Sequence, residues 1–251
     1  MRRFERKYRP MRFVLYNIRY GTGGKKYRFP WSGYLNKTHQ NLDHIIHFLD
    51  DLDPDIIGLV EVDAGSFRSE NGNQAEVIAQ ALGHYHVYES KYAQDSMARN
   101  LPVINKQGNA FLARDTIKNQ RFHFFDKGVK RLVIELELEK LTIFLVHLAL
   151  GKRVRHHQLA NLSALVEKVD RPYIVAGDFN VLWGEHEIEL FLSQTNLISA
   201  NADSHPSFPS WSPRRHLDFI LHSQDIKIER FWMPPVIYSD HLPLICDFEI
   251  T

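Results

Sequence analysis

The stretch YIVAGDFNV, residues 173–181, is a run of apolar strand residues that ends in Asp178 and Asn180, two positions apart. Side chains along a strand alternate faces, so residues i and i+2 project the same way and both polar groups leave the end of a buried strand together. Two readings fit this fragment alone. In one, Asp178 and Asn180 make a turn and bond only the nearby backbone; in the other they act on a common ligand.

Working outward, the periodicity predicts a helix over 154–169 before this strand and a short helix over 185–193 after it. Upstream, RLVIELELEKLTIFLVHLAL reads as a hairpin of two alternating runs around Glu139 and Lys140, its second strand ending at His147. MRFVLYN and DIIGLVEVD read as strands separated by a helix in which Leu42, Ile45, Ile46 and Leu49 share one face before Pro54 stops it. NQAEVIAQALG is a second helix capped by Gly83, and HYHVYES, GNAFLAR, LDFILH, IKIERFWM and LPLICDFEI are further strands. The polar stretch 93–107 is a candidate lid. Some strand pairs are joined by helices and others by short turns. That mixture predicts mixed sheets, and two such sheets packed face to face with helices outside accommodate both kinds of connection.

At 251 residues the chain suffices for one large α/β domain. No linker, repeat or low-complexity segment divides it, so 1–251 is expected to form a single domain, with a basic N-terminal extension at 1–11. The 31 Lys plus Arg against 30 Asp plus Glu neither demand nor exclude a polyanionic partner. The arginine-dense start lacks the apolar run of a secretory signal and no stretch reaches the length of a membrane span, so the expected location is cytoplasmic, with no transmembrane segment. Cys246 is the single cysteine, which excludes an intrachain disulfide. The pairs His44/His47 and His156/His157 lack a third ligand at any obvious spacing.

Polar groups interrupt or follow the apolar strands at Asn17, Glu61, Asn109, His147, Asp178 with Asn180, Asp218, and the triplet Ser239, Asp240, His241. Each singly has a plain structural reading as a turn residue, a solvated strand end or a hydrogen-bonded core histidine. Their joint occurrence, at strand ends that one sheet edge could gather, points to a site.

The order YNIRYG, IIGLVEV, GNAFLAR, VHL, GDFN, LDFIL and SDHLPL resembles the endonuclease/exonuclease/phosphatase superfamily over residues 12–248, and GDFN followed by SDHLPL is more specific than either motif alone. The resemblance implies a four-layer α/β sandwich of the deoxyribonuclease I-like kind, with two packed mixed β-sheets flanked by helices. It also implies one divalent cation, Mg2+ or Mn2+, and hydrolysis of a phosphate ester. On that likeness Glu61 is the principal metal carboxylate, with Asn17 beside it and Asp240 as a further ligand. Asp178 and Asn180 orient and activate the attacking water, His241 contacts the scissile phosphate, and Asp218 orients His241. His147 matches a second histidine of the deoxyribonuclease-like and sphingomyelinase-like branches. Asn109, Arg68 and Trp211 are expected to bind substrate, and Lys25, Lys26, Arg28, Arg214 and Arg215 are further loop candidates.

The residue types suit that chemistry. Glu61, Asp178, Asp218 and Asp240 in one pocket would repel, by about 4 kcal/mol for a close pair at intermediate dielectric, and a divalent cation relieves the repulsion. Oxygen-rich ligands favour a hard ion. Water needs a carboxylate to take its proton, and a histidine beside Asp218 favours the protonated form that can donate to phosphate. The expected activity is hydrolysis of a small or lipid-linked phosphodiester. The alternative is a metal-dependent endo- or exonuclease on DNA or RNA, and a non-catalytic binding protein on the same fold is disfavoured because the whole set is present. The expected partner is the phosphate-ester substrate, with no obligate protein partner.

Overall fold

The computed structural model describes residues 9–23, 38–91 and 104–251, apart from the side chains of Arg68 and Ile104. Twelve strands follow in chain order: β1 (Met11–Asn17), β2 (Ile56–Asp63), β3 (Tyr85–Ser90), β4 (Gln107–Ala113), β5 (Asn119–Phe124), β6 (Leu132–Glu137), β7 (Thr142–His147), β8 (Tyr173–Asp178), β9 (Ile198–Ser199), β10 (Asp218–His222), β11 (Ile226–Trp232) and β12 (Leu244–Ile250). Four α-helices accompany them: α1 (His39–Leu52), α2 (Gln74–Leu82), α3 (Lys152–Val166) and α4 (Glu189–Thr195). The strands form two six-stranded sheets, in the orders β11-β12-β1-β2-β4-β3 and β5-β6-β7-β8-β10-β9.

Each sheet is built around one parallel pair, β1 with β2 and β7 with β8, and every other pairing is antiparallel. A parallel pair needs a crossover, supplied by α1 in one sheet and α3 in the other. Alternation along the strands then sorts the core into layers. Phe13, Leu15, Phe111, Leu145, Ala176, Ile220 and Leu244 pack between the sheets. Val14 and Leu59 meet α1 and α2 on one outer face, while Val133, Phe144 and Val175 meet α3 and α4 on the other. This is the expected four-layer sandwich.

Local signals explain the helix ends. Asp53 takes a left-handed conformation (φ 49°) just before Pro54, closing α1. Asn73 caps α2 by accepting the Ala75 N–H at 3.0 Å, and Gly83 ends it at φ 67°. The hairpin of β6 and β7 turns at Glu139 and Lys140, with Leu138 N–H donating to Leu141 O at 2.9 Å.

Several expectations are corrected. β5 and the two-residue β9 were not anticipated, and α3 runs Lys152–Val166 rather than 154–169. Residues 9–11, assigned to the basic extension, join the fold: Met11 pairs with Phe248, and Arg9 donates to Asp53 O at 3.1 Å and Asp55 Oδ1 at 3.2 Å. Of the candidate lid, residues 93–103 lie outside the described residues, as do Lys25, Lys26 and Arg28; the rest is a 3-10 turn (Ile104–Lys106) leading into β4. No helix among the described residues is long and apolar enough to cross a membrane.

Gly177 shows why the 173–181 stretch needs its glycine. At φ 150°, with β8 paired to β7, a Cβ would stand 1.9 Å from Val146 O. Gly177→Ala is expected to destabilise the chain by about 3 kcal/mol or more, whereas Gly83→Ala, with open space around it, should cost about 1 kcal/mol. Denaturant unfolding of both variants checks the contrast, and equal losses would refute it.

Candidate active site

The inward-facing rows of residues that build the core between the sheets all turn polar at one edge. Phe13 and Leu15 are followed in register by Asn17, Ile143 and Leu145 by His147, and Ile174 and Ala176 by Asp178. Strands β4 and β10 run the opposite way, so their polar members stand at or near the start: Asn109 precedes Phe111, and Asp218 precedes Ile220. Asp218 therefore begins its strand rather than ending it, directly opposite Asp178.

Glu61 breaks the alternation. Leu59 and Val62 face the helices and Val60 faces the other sheet, so strict alternation would turn Glu61 toward the helices. Instead the register slips between Leu59 and Val62, and Glu61 adopts φ 58°. A β-bulge of this kind re-aims a side chain, and here it delivers Glu61 to the cleft. The Asn109 side-chain oxygen accepts the Glu61 N–H at 3.3 Å.

These groups line an open cleft of about 520 Å³. Asn17, Glu61, His147, Asp178, Asn180, Asp240, His241 and Trp211 all reach its wall. Asp218 stands just behind, its Oδ2 2.7 Å from His241 Nδ1 and accepting the Ser207 hydroxyl at 2.5 Å. Asn109, expected to bind substrate, is fully buried and stays off the wall because its oxygen holds the Glu61 bulge. The Arg68 side chain is outside the described residues.

Asp178 is the hub. Its Oδ2 accepts Asn17 Nδ2 at 3.2 Å and lies 3.4 Å from His147 Nε2 and 3.9 Å from His241 Nε2. Its Oδ1 accepts the Asn180 N–H at 3.0 Å. Asn180 holds φ 53°, which also lets its Nδ2 donate to Leu148 O at 2.9 Å.

Burial, with Asp218 and Glu61 adding to it against the pull of His241 and Lys130, raises the Asp178 carboxyl to about 7. Burial also raises Asp240, despite His241 and Arg19. At Glu61 burial pushes upward too, but Lys91, Lys130, His241 and Arg19 outweigh it and hold the carboxyl below its ordinary value. The two histidines diverge. Burial would lower His241, yet Asp218, Asp178 and Asp240 carry it up to about 10. Burial and then Lys130, Lys91 and His241 drive His147 well below its usual value, leaving a neutral ring.

The donor set fits a hard divalent ion. Glu61, Asp240 and Asn17 bring oxygens to one cleft wall, Glu61 stays ionised despite burial, and the only thiol, Cys246, is buried in the core with its pKa raised chiefly by that burial. The trio Asp178, Asp218 and His241 also has its ligating atoms within 4.8 Å of one another. Within it, His241 Nδ1 and Asp218 Oδ2 already bond each other at 2.7 Å.

Sequence reasoning missed Lys130, Arg19, Ser207 and Gln158. Arg19, at φ 46°, places Nε 3.4 Å from Asp240 Oδ2. Lys130 could have been found from the hairpin. Pairing across Glu139 and Lys140 sets Val133 opposite Val146, so residues just before β6 must lie beside His147.

Comparison with known proteins bears on the family and the fold. The profile of the Endonuclease/Exonuclease/phosphatase family matches residues 14–241. Human Nocturnin is 32% identical over 120 residues, covering 37% of this chain and 28% of that relative's length. The structure of the human Nocturnin catalytic domain with bound sulfate superposes with a TM-score of 0.66 at 23% identity, covering 97% of this chain and 94% of that one. A mannosyl-6-phosphatase from Bacteroides thetaiotaomicron gives 0.69 at 15% identity, covering 96% and 100%. At these identities the structural likenesses speak for the fold, and the sequence profile carries the assignment. The chain belongs to the endonuclease/exonuclease/phosphatase family, whose members are phosphoester hydrolases.

Proposed function

We propose that the cleft hydrolyses a small or lipid-linked phosphodiester, with a divalent metal, by in-line attack of a water activated at Asp178. The observation that carries this reading is the convergence of Asn17, His147, His241 and Asn180 on the one Asp178 carboxylate. Glu61, Asn17 and Asp240 would hold Mg2+ or Mn2+, which when bound supplies positive charge to a phosphate oxygen.

The chain's own groups do the rest. Asp178, with a pKa near neutrality, accepts the proton of the water. Asn180 donates its backbone N–H to Asp178 and a side-chain N–H to Leu148, and its side-chain oxygen remains to orient the water. His241, kept cationic by Asp218, donates from Nε2 to the phosphoryl group. Leu150, Leu182, Phe208, Pro209 and Trp211 form the apolar wall, and the cleft volume lies within the range of small-ligand sites.

A nuclease is the second reading, favoured by one observation. Trp211 stands with Arg214 and Arg215 around a neighbouring pocket, an arrangement that suits stacking a base beside a phosphate contact. A panel at fixed metal, comparing plasmid DNA, RNA, phosphocholine lipids, phosphoinositides and small phosphomonoesters, separates the two. Turnover of nucleic acid alone, with binding lost steeply as salt rises, would replace the first reading.

Asp178→Asn and His241→Ala are each expected to lower turnover about a hundredfold or more with the fold unchanged by circular dichroism, and near-normal rates in either would remove that residue from the mechanism. In the metal-free protein, the His241 ring should be doubly protonated at neutral pH and lose its proton near pH 10 by NMR. Because the folded value lies above the unfolded one of about 6.5, the Asp218–His241 pair stabilises fully below that pH and its contribution is lost as pH rises through about 10. Asp218→Asn should bring the ring's titration back toward the ordinary histidine range; an unmoved titration would show that Asp218 is not the cause.

A further inference from the structure

Lys130 has no part in the roles above, yet its ammonium lies in the cleft. Nζ hydrogen-bonds His147 Nε2 and stands 3.7 Å from Glu61 Oε1. A loop lysine ordinarily swings in solvent, but this one is held by its surroundings. Gln158, wholly buried on α3, donates from Nε2 to Lys127 O at 3.0 Å and Lys130 O at 2.7 Å, while its Oε1 accepts the Ala149 N–H at 2.8 Å. Gly128, at φ 106°, closes onto the same amide: a Cβ there would lie 2.8 Å from Gln158 Nε2 and 2.9 Å from Val154 Cγ1. One buried amide thus ties the backbone of Lys130 to the loop that follows His147.

His147 completes the arrangement. Its Nδ1 is buried without a partner among the described residues, and its Nε2 faces Lys130, Asp178 and Glu61. A neutral imidazole has one acceptor nitrogen, and a lysine must donate, so the bond makes Nε2 the acceptor and places the ring proton on Nδ1. A neutral ring cannot bring charge to a phosphate. It can aim an ammonium that does.

We propose that Lys130 is a phosphate-binding catalytic residue of this cleft, its ammonium directed by His147 and Gln158 at a non-bridging oxygen of the substrate's phosphoryl group. The proposal rests on the phosphoesterase reading and adds to it a second fixed cation, besides His241, contributed by the chain. Lysine carries three donors, of which His147 takes one, and the others remain for oxygens on which charge builds during in-line attack. His147 and Gln158 are positioning residues in this scheme.

The test uses the full chain, free of metal, titrated calorimetrically with inorganic phosphate and separately with Mn2+. Lys130→Met, which keeps the stem and removes the charge, is expected to weaken phosphate binding about tenfold or more while Mn2+ binds as tightly as before or tighter. Lys130→Arg, which keeps the charge, should retain most of the phosphate affinity. His147→Leu should lose it and His147→Gln, which keeps an acceptor, should restore it. A thermal midpoint near wild type in each variant separates these effects from loss of the fold. Phosphate affinity in Lys130→Met within about twofold of wild type overturns the proposal, as does a wild-type chain that binds Mn2+ and hydrolyses an ester of the panel but does not bind phosphate. Lysine-dependent phosphate binding in a chain that hydrolyses nothing on the panel overturns the phosphoesterase reading instead and leaves Lys130 as a phosphate ligand.

Discussion

The carboxylate of Asp178, buried where the two sheets meet, is the group around which the molecule is arranged. A lone charge in such a place costs several kcal/mol, and the cost is tolerable only when donors converge on it. Asn17 reaches it from the first sheet; Asn180 and the cationic His241 reach it from the second sheet and the segment before β12. The sandwich must therefore close in correct register for that carboxylate to be satisfied, and closing it assembles the cleft. Fold and site are satisfied by the same contacts.

Much of this was legible beforehand because it follows from a period of two. Each inward row of apolar residues carries on to a polar one at the same edge, and that pattern can be read in YIVAGD, TIFLVH and RFVLYN without coordinates. The helices were equally plain, since their apolar faces and caps are local. What escaped reading depends on non-local geometry. The Glu61 bulge exists only relative to β4, whose Asn109 meets an extra residue. Asn109 looks like a site residue in sequence and is instead an internal brace. β5 escaped because its exposed, mixed-polarity residues show no clean alternation. Lys130 sits in DKGVKR, which by composition is an ordinary charged loop; its importance comes from Gln158, some thirty positions later in the chain.

The two histidines of the cleft show how far neighbours outweigh residue type. Both are buried, and burial alone would neutralise both. His241 has Asp218 at hydrogen-bonding distance and becomes a cation; His147 has Lys130 there and stays neutral. The consequence is a difference at the cleft: the His241 nitrogen there can donate to an anion, and the His147 nitrogen there can only accept. Glu61 is similarly tuned, kept ionised by cations of the chain itself, so the site is electrostatically prepared before any ligand enters.

The order of strands has a consequence for synthesis. The sheet of β5–β10 comes from one unbroken run of chain, whereas the other sheet is split, with β1–β4 made before that run and β11–β12 after it. On a ribosome, which delivers the chain from its amino end, β1 must wait with one edge bare until β12 arrives to lie beside it. A bare edge invites pairing with another nascent chain, and a charged side chain is the usual deterrent. Arg12 stands on that waiting edge and finds Asp247 on β12, at 2.7 and 2.9 Å, only when the late strand docks. The same residue thus guards the unfinished sheet and latches the finished one.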